Sequence, residues 1–158
     1  MSETCECPTS AGASTCELRG GPADSACPSC GRRGKRVDSV TLKALLAVPL
    51  TEILYADYLF CKTAGCPVVY YSRGGEQTFG EEHLRERVLQ KHPEADDVFA
   101  CYCFRHTAGS VRGERTEPRQ PGVVEAITAG IQAGKCACDL RNPQGSCCLG
   151  NVRALLGP

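Results

Sequence analysis

The chain has 158 residues, and its 18 basic and 18 acidic side chains cancel, so no global field draws it toward nucleic acid or anionic lipid. With no Trp, four Phe and five Tyr it has little large apolar material for two separate cores, a shortage that small domains relieve with staples such as structural metal. Thirteen cysteines narrow the class to a secreted disulfide scaffold or a metalloprotein.

Residues 1–24 are rich in Ser, Thr, Ala, Gly, Glu and Cys without any apolar period, and are expected to form a disordered, cysteine-containing tail. Glu3, Glu6 and Glu17 stand where a secretory signal would need a basic region and an apolar run, so no export is expected and the chain is placed in the cytoplasm. Thiols stay reduced there, which favours metal ligation over disulfides. The longest apolar run, 44–50, is far below the roughly 18 residues of a membrane span, so no membrane insertion is expected.

Residues 25–95 are expected to form a small zinc-ribbon-like β half. Cys27-Pro-Ser-Cys30-Gly31 is a knuckle in which two thiolates grip one ion, with Gly31 supplying the freedom of the turn. A basic cluster follows at Arg32, Arg33, Lys35 and Arg36. Residues 39–48 carry helical spacing through Val40, Leu42, Leu45 and Leu46. The β-rich runs 58–60 and 68–71 flank Cys61 and Cys66, predicting a hairpin whose loop presents a second thiol pair. Residues 81–91 read as either helix or strand. A charged joint, 91–97, ends this half.

Residues 96–158 are expected to form a helical half, giving an α+β chain overall. Val98-Phe99-Ala100 leads into Cys101-Tyr102-Cys103, and Thr107 is a predicted N-cap for a short helix through Val111. A longer helix over 122–134 places Val123, Val124, Ile127 and Ile131 on one face and stops at Gly134. Cys136-Ala137-Cys138 comes next. A turn at Asn142-Pro143-Gln144-Gly145 then returns the chain to Cys147-Cys148 before a last helix over 149–156.

The spacing of Cys27, Cys30, Cys61 and Cys66 predicts a tetrathiolate Zn(II) site. Cys101, Cys103, Cys138 and the vicinal Cys147-Cys148 read as the ligand pool of a [2Fe-2S] cluster, because loops between helices can aim cysteines and backbone N–H groups at its sulfurs. A second zinc ion is the alternative for this pool. Cys136 and Cys147 are alternative ligands to Cys138 and Cys148.

The 34 residues between Cys103 and Cys138 are close to the spacing in bacterioferritin-associated ferredoxin domains. Those close with C-x2-C, whereas nine residues here separate Cys138 from Cys148. The string Cys138-Asp-Leu-Arg-Asn142-Pro143-Gln-Gly145-Ser-Cys147-Cys148, with the C-x2-C knuckle, Phe60-Cys61-x4-Cys66 before Val68-Val69-Tyr70, and Cys101-Tyr102-Cys103, resembles the N-terminal domain of CopZ-type copper chaperones. The likeness spans roughly residues 26–157. It implies that Cys27, Cys30, Cys61 and Cys66 hold zinc and that Cys101, Cys103, Cys138 and Cys148 hold a [2Fe-2S] cluster. In that family the domain is proposed to supply the electron that reduces Cu(II) to Cu(I), while a heavy-metal-associated domain with a Gly-Met-x-Cys-x2-Cys loop carries the copper. This sequence has no such loop, so chaperoning is not carried over intact.

The expected function is one-electron transfer linked to copper or another soft metal, with a redox or copper-handling protein as partner and no enzyme activity beyond reduction of a metal ion. No Ser-His-Asp set, phosphate loop or pair of pocketed carboxylates is legible. The tail thiols Cys5, Cys7 and Cys16 are either idle or labile ligands for a soft ion such as Cu(I) or Hg(II). His106 is either a proton-coupling group or a plain polar residue at a helix start. The rival to electron transfer is a structural double-metal module that contacts nucleic acid or an acidic partner through the basic knuckle, although nucleic acid is not the expected partner of a neutral chain.

Overall fold

Alternating side chains on short, β-rich runs build the first half. In this computed structural model, which describes residues 25–157, strands β1 (Lys35–Val37), β2 (Tyr58–Phe60), β3 (Val68–Ser72) and β4 (Thr78–Gly80) form an antiparallel sheet in the order β1-β2-β3-β4. Lys35 pairs with Phe60, Leu59 with Tyr71, and Tyr70 with Phe79. A bulge between Val68 and Tyr70 shifts the β3–β4 register. It lets Val69 and Tyr70 both join the core that holds Tyr58, Phe60 and Phe79, while Val68 and Tyr71 join the cysteines.

Helix α1 (Ser39–Leu45) closes the first core with Leu42, Leu45 and the following Leu46. It is shorter than the helix expected over 39–48. Leu46 is already extended and bridges Leu84, and Pro49 disfavours helical backbone at Val48. Val40, expected on the buried face, is 51 % exposed, and Thr41 is buried in its place. Residues 81–91 are neither the helix nor the strand considered for them. They make two 3-10 turns, Glu81–His83 and Leu89–Lys91, joined by extended chain. Glu81 fixes this stretch by accepting from the Val88 N–H at 2.6 Å and pairing with His92 Nε2 at 2.6 Å.

The second half begins with a hairpin, β5 (Phe99–Cys101) against β6 (His106–Thr107), and continues through α2 (Ala108–Gly113), α3 (Val123–Gln132), α4 (Cys138–Arg141) and α5 (Leu149–Leu156). The Thr107 hydroxyl caps α2, accepting from the Ser110 N–H at 3.1 Å, as the sequence predicts. Helix α3 turns Val123 and Ile127 into the core, with Val124 and Ile131 half-buried beside them, and stops before Gly134 at φ 67°. The core of this half gathers Val98, Ala100, Ala108, Val111, Ile127 and Val152 around Cys101 and Cys148.

The halves are joined by packing of α1 on α4 and by a buried hydrogen bond from Tyr70 Oη to the Pro143 carbonyl at 2.6 Å. Burial raises the Tyr70 phenol well above its usual range, so it stays a donor at all ordinary pH. Tyr70→Phe leaves that carbonyl without its donor and is expected to lower unfolding free energy by about 1–2 kcal/mol, read by urea titration; an unchanged midpoint would show that this bond does not couple the halves.

Candidate metal centres

The first thiol set is assembled by two turns. In the knuckle the Gly31 N–H donates to the Cys27 carbonyl at 2.8 Å, and Gly31 takes φ 70°, where a Cβ would be strained. The loop after β2 repeats the device, with the Cys66 N–H on the Thr63 carbonyl at 3.3 Å and Gly65 at φ 74°. The four Sγ atoms of Cys27, Cys30, Cys61 and Cys66 lie within 4.8 Å of one another. Cys27 and Cys66 are 3.8 Å apart, and Cys30 and Cys61 3.6 Å. Four thiolates about 2.3 Å from one tetrahedral Zn(II) stand about 3.8 Å apart, so the set fits that ion.

The electrostatics of this set ask for a cation. Burial pushes the Cys27 thiol up to about 12, while the Thr63 hydroxyl, 3.4 Å from Cys30 Sγ, stabilises the thiolate and takes Cys30 down to about 6. Four adjacent thiols, three of them buried, cannot all ionise by themselves, and a divalent ion among them removes the obstacle. Tyr71 seals the inner side, donating to the Ser25 carbonyl at 2.5 Å and accepting from the Gly34 N–H at 2.9 Å.

The second pool is arranged in pairs. Cys103 Sγ lies 3.7 Å from Cys138 Sγ, and the Ala137 N–H points at Cys103 Sγ from 3.3 Å. Cys101 and Cys148 share a hydrogen bond that holds Cys101 down to about 7 and drives Cys148 far up, and Cys148 is only 2 % exposed. Desolvation raises Cys138 to about 12. Among the described residues, only the first set of four closes into one compact metal-sized group.

The loop of the β5–β6 hairpin presents Cys103. Its Arg105, at φ 60°, is held by Glu86 at 2.8 Å and by stacking 3.8 Å over the Phe99 ring. Behind it Tyr102 Oη donates to the Arg87 carbonyl at 2.8 Å and accepts from the Leu89 N–H at 3.1 Å. The Cys147 thiol is exposed and Cys136 is half-buried. His106 is half-buried, and burial, followed by Arg119, lowers its pKa, favouring the neutral ring. Cys5, Cys7 and Cys16 lie outside the described residues. Thr63, Tyr71 and the Ala137 N–H were not anticipated; Thr63 alone had a signal, a hydroxyl inside the Cys61–Cys66 loop.

Residues 24–85 match the family model of a CopZ-type domain described as a zinc binding domain. The X-ray structure of the Archaeoglobus fulgidus CopZ N-terminal domain is similar to this chain at 30 % identity and a TM-score of 0.62, over 78 % of this chain and 91 % of that one. The chain belongs to the CopZ N-terminal domain family. No curated protein matches it. The zinc binding domain of this CopZ-type chain thus coincides with the compact four-thiol group, and no described helix is long and apolar enough to cross a membrane.

Cys27, Cys61 and Cys66 form one core cluster with Leu59, Val68 and Tyr71, so the thiols are part of the packing of the first half. Stripping metal with a strong chelator is expected to melt this sheet and lower Tm by more than about 10 °C. Unchanged far-UV circular dichroism and Tm after verified metal loss would contradict a structural role.

Proposed function

We propose that the chain is a two-metal protein for one-electron transfer in soft-metal handling. Cys27, Cys30, Cys61 and Cys66 hold Zn(II) for shape, and Cys101, Cys103, Cys138 and Cys148 hold a [2Fe-2S] cluster. The observation that carries the second assignment is the pairing of Cys103 with Cys138 and of Cys101 with Cys148. Two irons take two thiolates each, whereas one zinc draws four into a single tetrahedron. When bound, such a cluster accepts and releases single electrons.

The chain's own residues supply the setting. Ala108, Val111 and Val152 surround Cys101 and Cys148 and keep water from that pair. The Ala137 N–H stabilises negative charge on the Cys103 sulfur, an interaction of the kind that raises a reduction potential. Exposure grows toward Cys103 and Cys138, which gives an acceptor a way in. Cu(II) is the proposed substrate, taking one electron to become Cu(I), with a copper-handling or redox protein as the partner class and the cytoplasm as the compartment.

Two measurements test this. Replacing Cys101, Cys103, Cys138 or Cys148 by Ser is expected to abolish or strongly alter the visible spectrum, whereas Cys136→Ser and Cys147→Ser leave it nearly intact; loss in Cys147→Ser with retention in Cys148→Ser would overturn the ligand assignment. Dithionite-reduced, desalted protein mixed with Cu(II) under argon is expected to yield about one Cu(I) per cluster, with return of the oxidised spectrum. Cu(I) formed while the cluster stays reduced would assign the electrons to free thiols and contradict the redox role.

A further inference from the structure

A basic groove runs between the knuckle and the loop carrying Cys147 and Cys148. Arg33, Lys35 and Lys62 line a cavity of about 510 Å³, and a neighbouring hollow shares Arg33 and Lys62 and adds Arg32. All four cations are exposed, and no carboxylate lines either hollow. Arg36, the fifth cation of this region, is paired with Asp57 at 3.1 Å, and Arg73, Arg87, Arg105 and Arg112 also have carboxylate partners. Among the described residues Arg32, Arg33 and Lys62 have none. What sets these cations apart is that they crowd two adjoining hollows with no acidic side chain among the lining residues to cancel their charge.

The floor of the groove is wired to the second half. Gln144 accepts from Gln90 Nε2 at 2.7 Å and from Asn151 Nδ2 at 3.1 Å, and its own amide donates to the Cys147 carbonyl at 3.1 Å. Lys35 Nζ donates to Ser146 Oγ at 2.7 Å. A molecule seated on these cations therefore rests against the loop that presents Cys148.

We propose that this groove docks a small acidic one-electron carrier of the ferredoxin class, a proposal that rests on the electron-transfer reading above. Bare cations on a neutral chain give a local field that steers and orients an acidic protein. Nucleic acid fits less well. Four cations neutralise few phosphates, and Phe60, the one aromatic lining residue, is buried and offers no face for base stacking. Exchange transfers one electron alone: the carrier's reduced iron–sulfur centre is oxidised by one electron as the centre held here is reduced by one, with no proton moved and no bond formed.

The probe is a strongly acidic plant-type [2Fe-2S] ferredoxin, titrated calorimetrically into the full chain as purified. The double variant Arg33→Glu/Lys62→Glu is expected to weaken binding at least about tenfold at low salt, Lys43→Glu on the exposed side of α1 to leave it unchanged, and the wild-type affinity to fall with added salt. Binding equal in wild type and double variant, or indifferent to salt, would overturn the proposal. So would tight capture of a random single-stranded oligonucleotide that the double variant loses while ferredoxin binding persists. The isotherm reads the groove whether or not iron is present, so failure of the groove is told apart from failure of the cluster, which iron and sulfide content and dithionite bleaching report separately. Ferredoxin-driven bleaching slowed in step with the weakened isotherm supports docking as the route of the electron, and bleaching at the wild-type rate in the double variant contradicts it.

Discussion

Crowding four thiols within 4.8 Å of one another is the constraint on which the first half depends. Burial penalises the thiolate at Cys27 while a hydroxyl favours it at Cys30, so the group is electrostatically unbalanced until a cation joins it. The knuckle and the β2–β3 loop are far apart in sequence, and their apolar contacts reduce to Leu59, Val68 and Tyr71. A thiolate cage around one ion replaces the larger apolar core that this composition does not provide. The sheet inherits its position from it, since β2 leads straight into Cys61 and β3 follows Cys66 by one residue.

The first half in turn buttresses the loop from Asn142 to Cys148. Tyr70 reaches Pro143 and Lys35 reaches Ser146, so strands of the sheet and the loop of the second thiol pool are tied through directed bonds. Inside the loop, buried Asn142 donates to the Ser146 carbonyl at 2.7 Å and accepts from the Gln144 N–H at 3.2 Å. These bonds set which of the vicinal cysteines turns inward: Cys148 enters the core at the start of α5 and Cys147 faces solvent. The half that holds the compact thiol group thereby supports the geometry of the paired thiols in the other.

Much of this was legible because thiol spacing and helical period are local signals. The C-x2-C and C-x4-C pairs, the Thr107 cap, the face of α3 and the limits of α5 all depend on residues close in sequence. Strand β1 was hidden because Lys35 and Arg36 are exposed on an edge and only Val37 is apolar, and β4 because Phe79 is its one large apolar residue. Residues 81–91 gave mixed periodicity because Glu81, Tyr102 and the Leu46–Leu84 bridge shape them, and all three act from outside any single period. The basic cluster was visible, but its continuation to Lys62 arises only when the knuckle and the Cys61–Cys66 loop fold together, and its hydrogen-bonded floor at Gln144 only when the halves meet.

The central claim is that two unlike metal centres occupy two differently shaped thiol sets, one compact and one paired. Zinc, iron and acid-labile sulfide measured on the same anaerobically purified sample test it most directly. The account predicts about one zinc, about two iron and about two sulfides per chain. About two zinc with neither iron nor sulfide would contradict it.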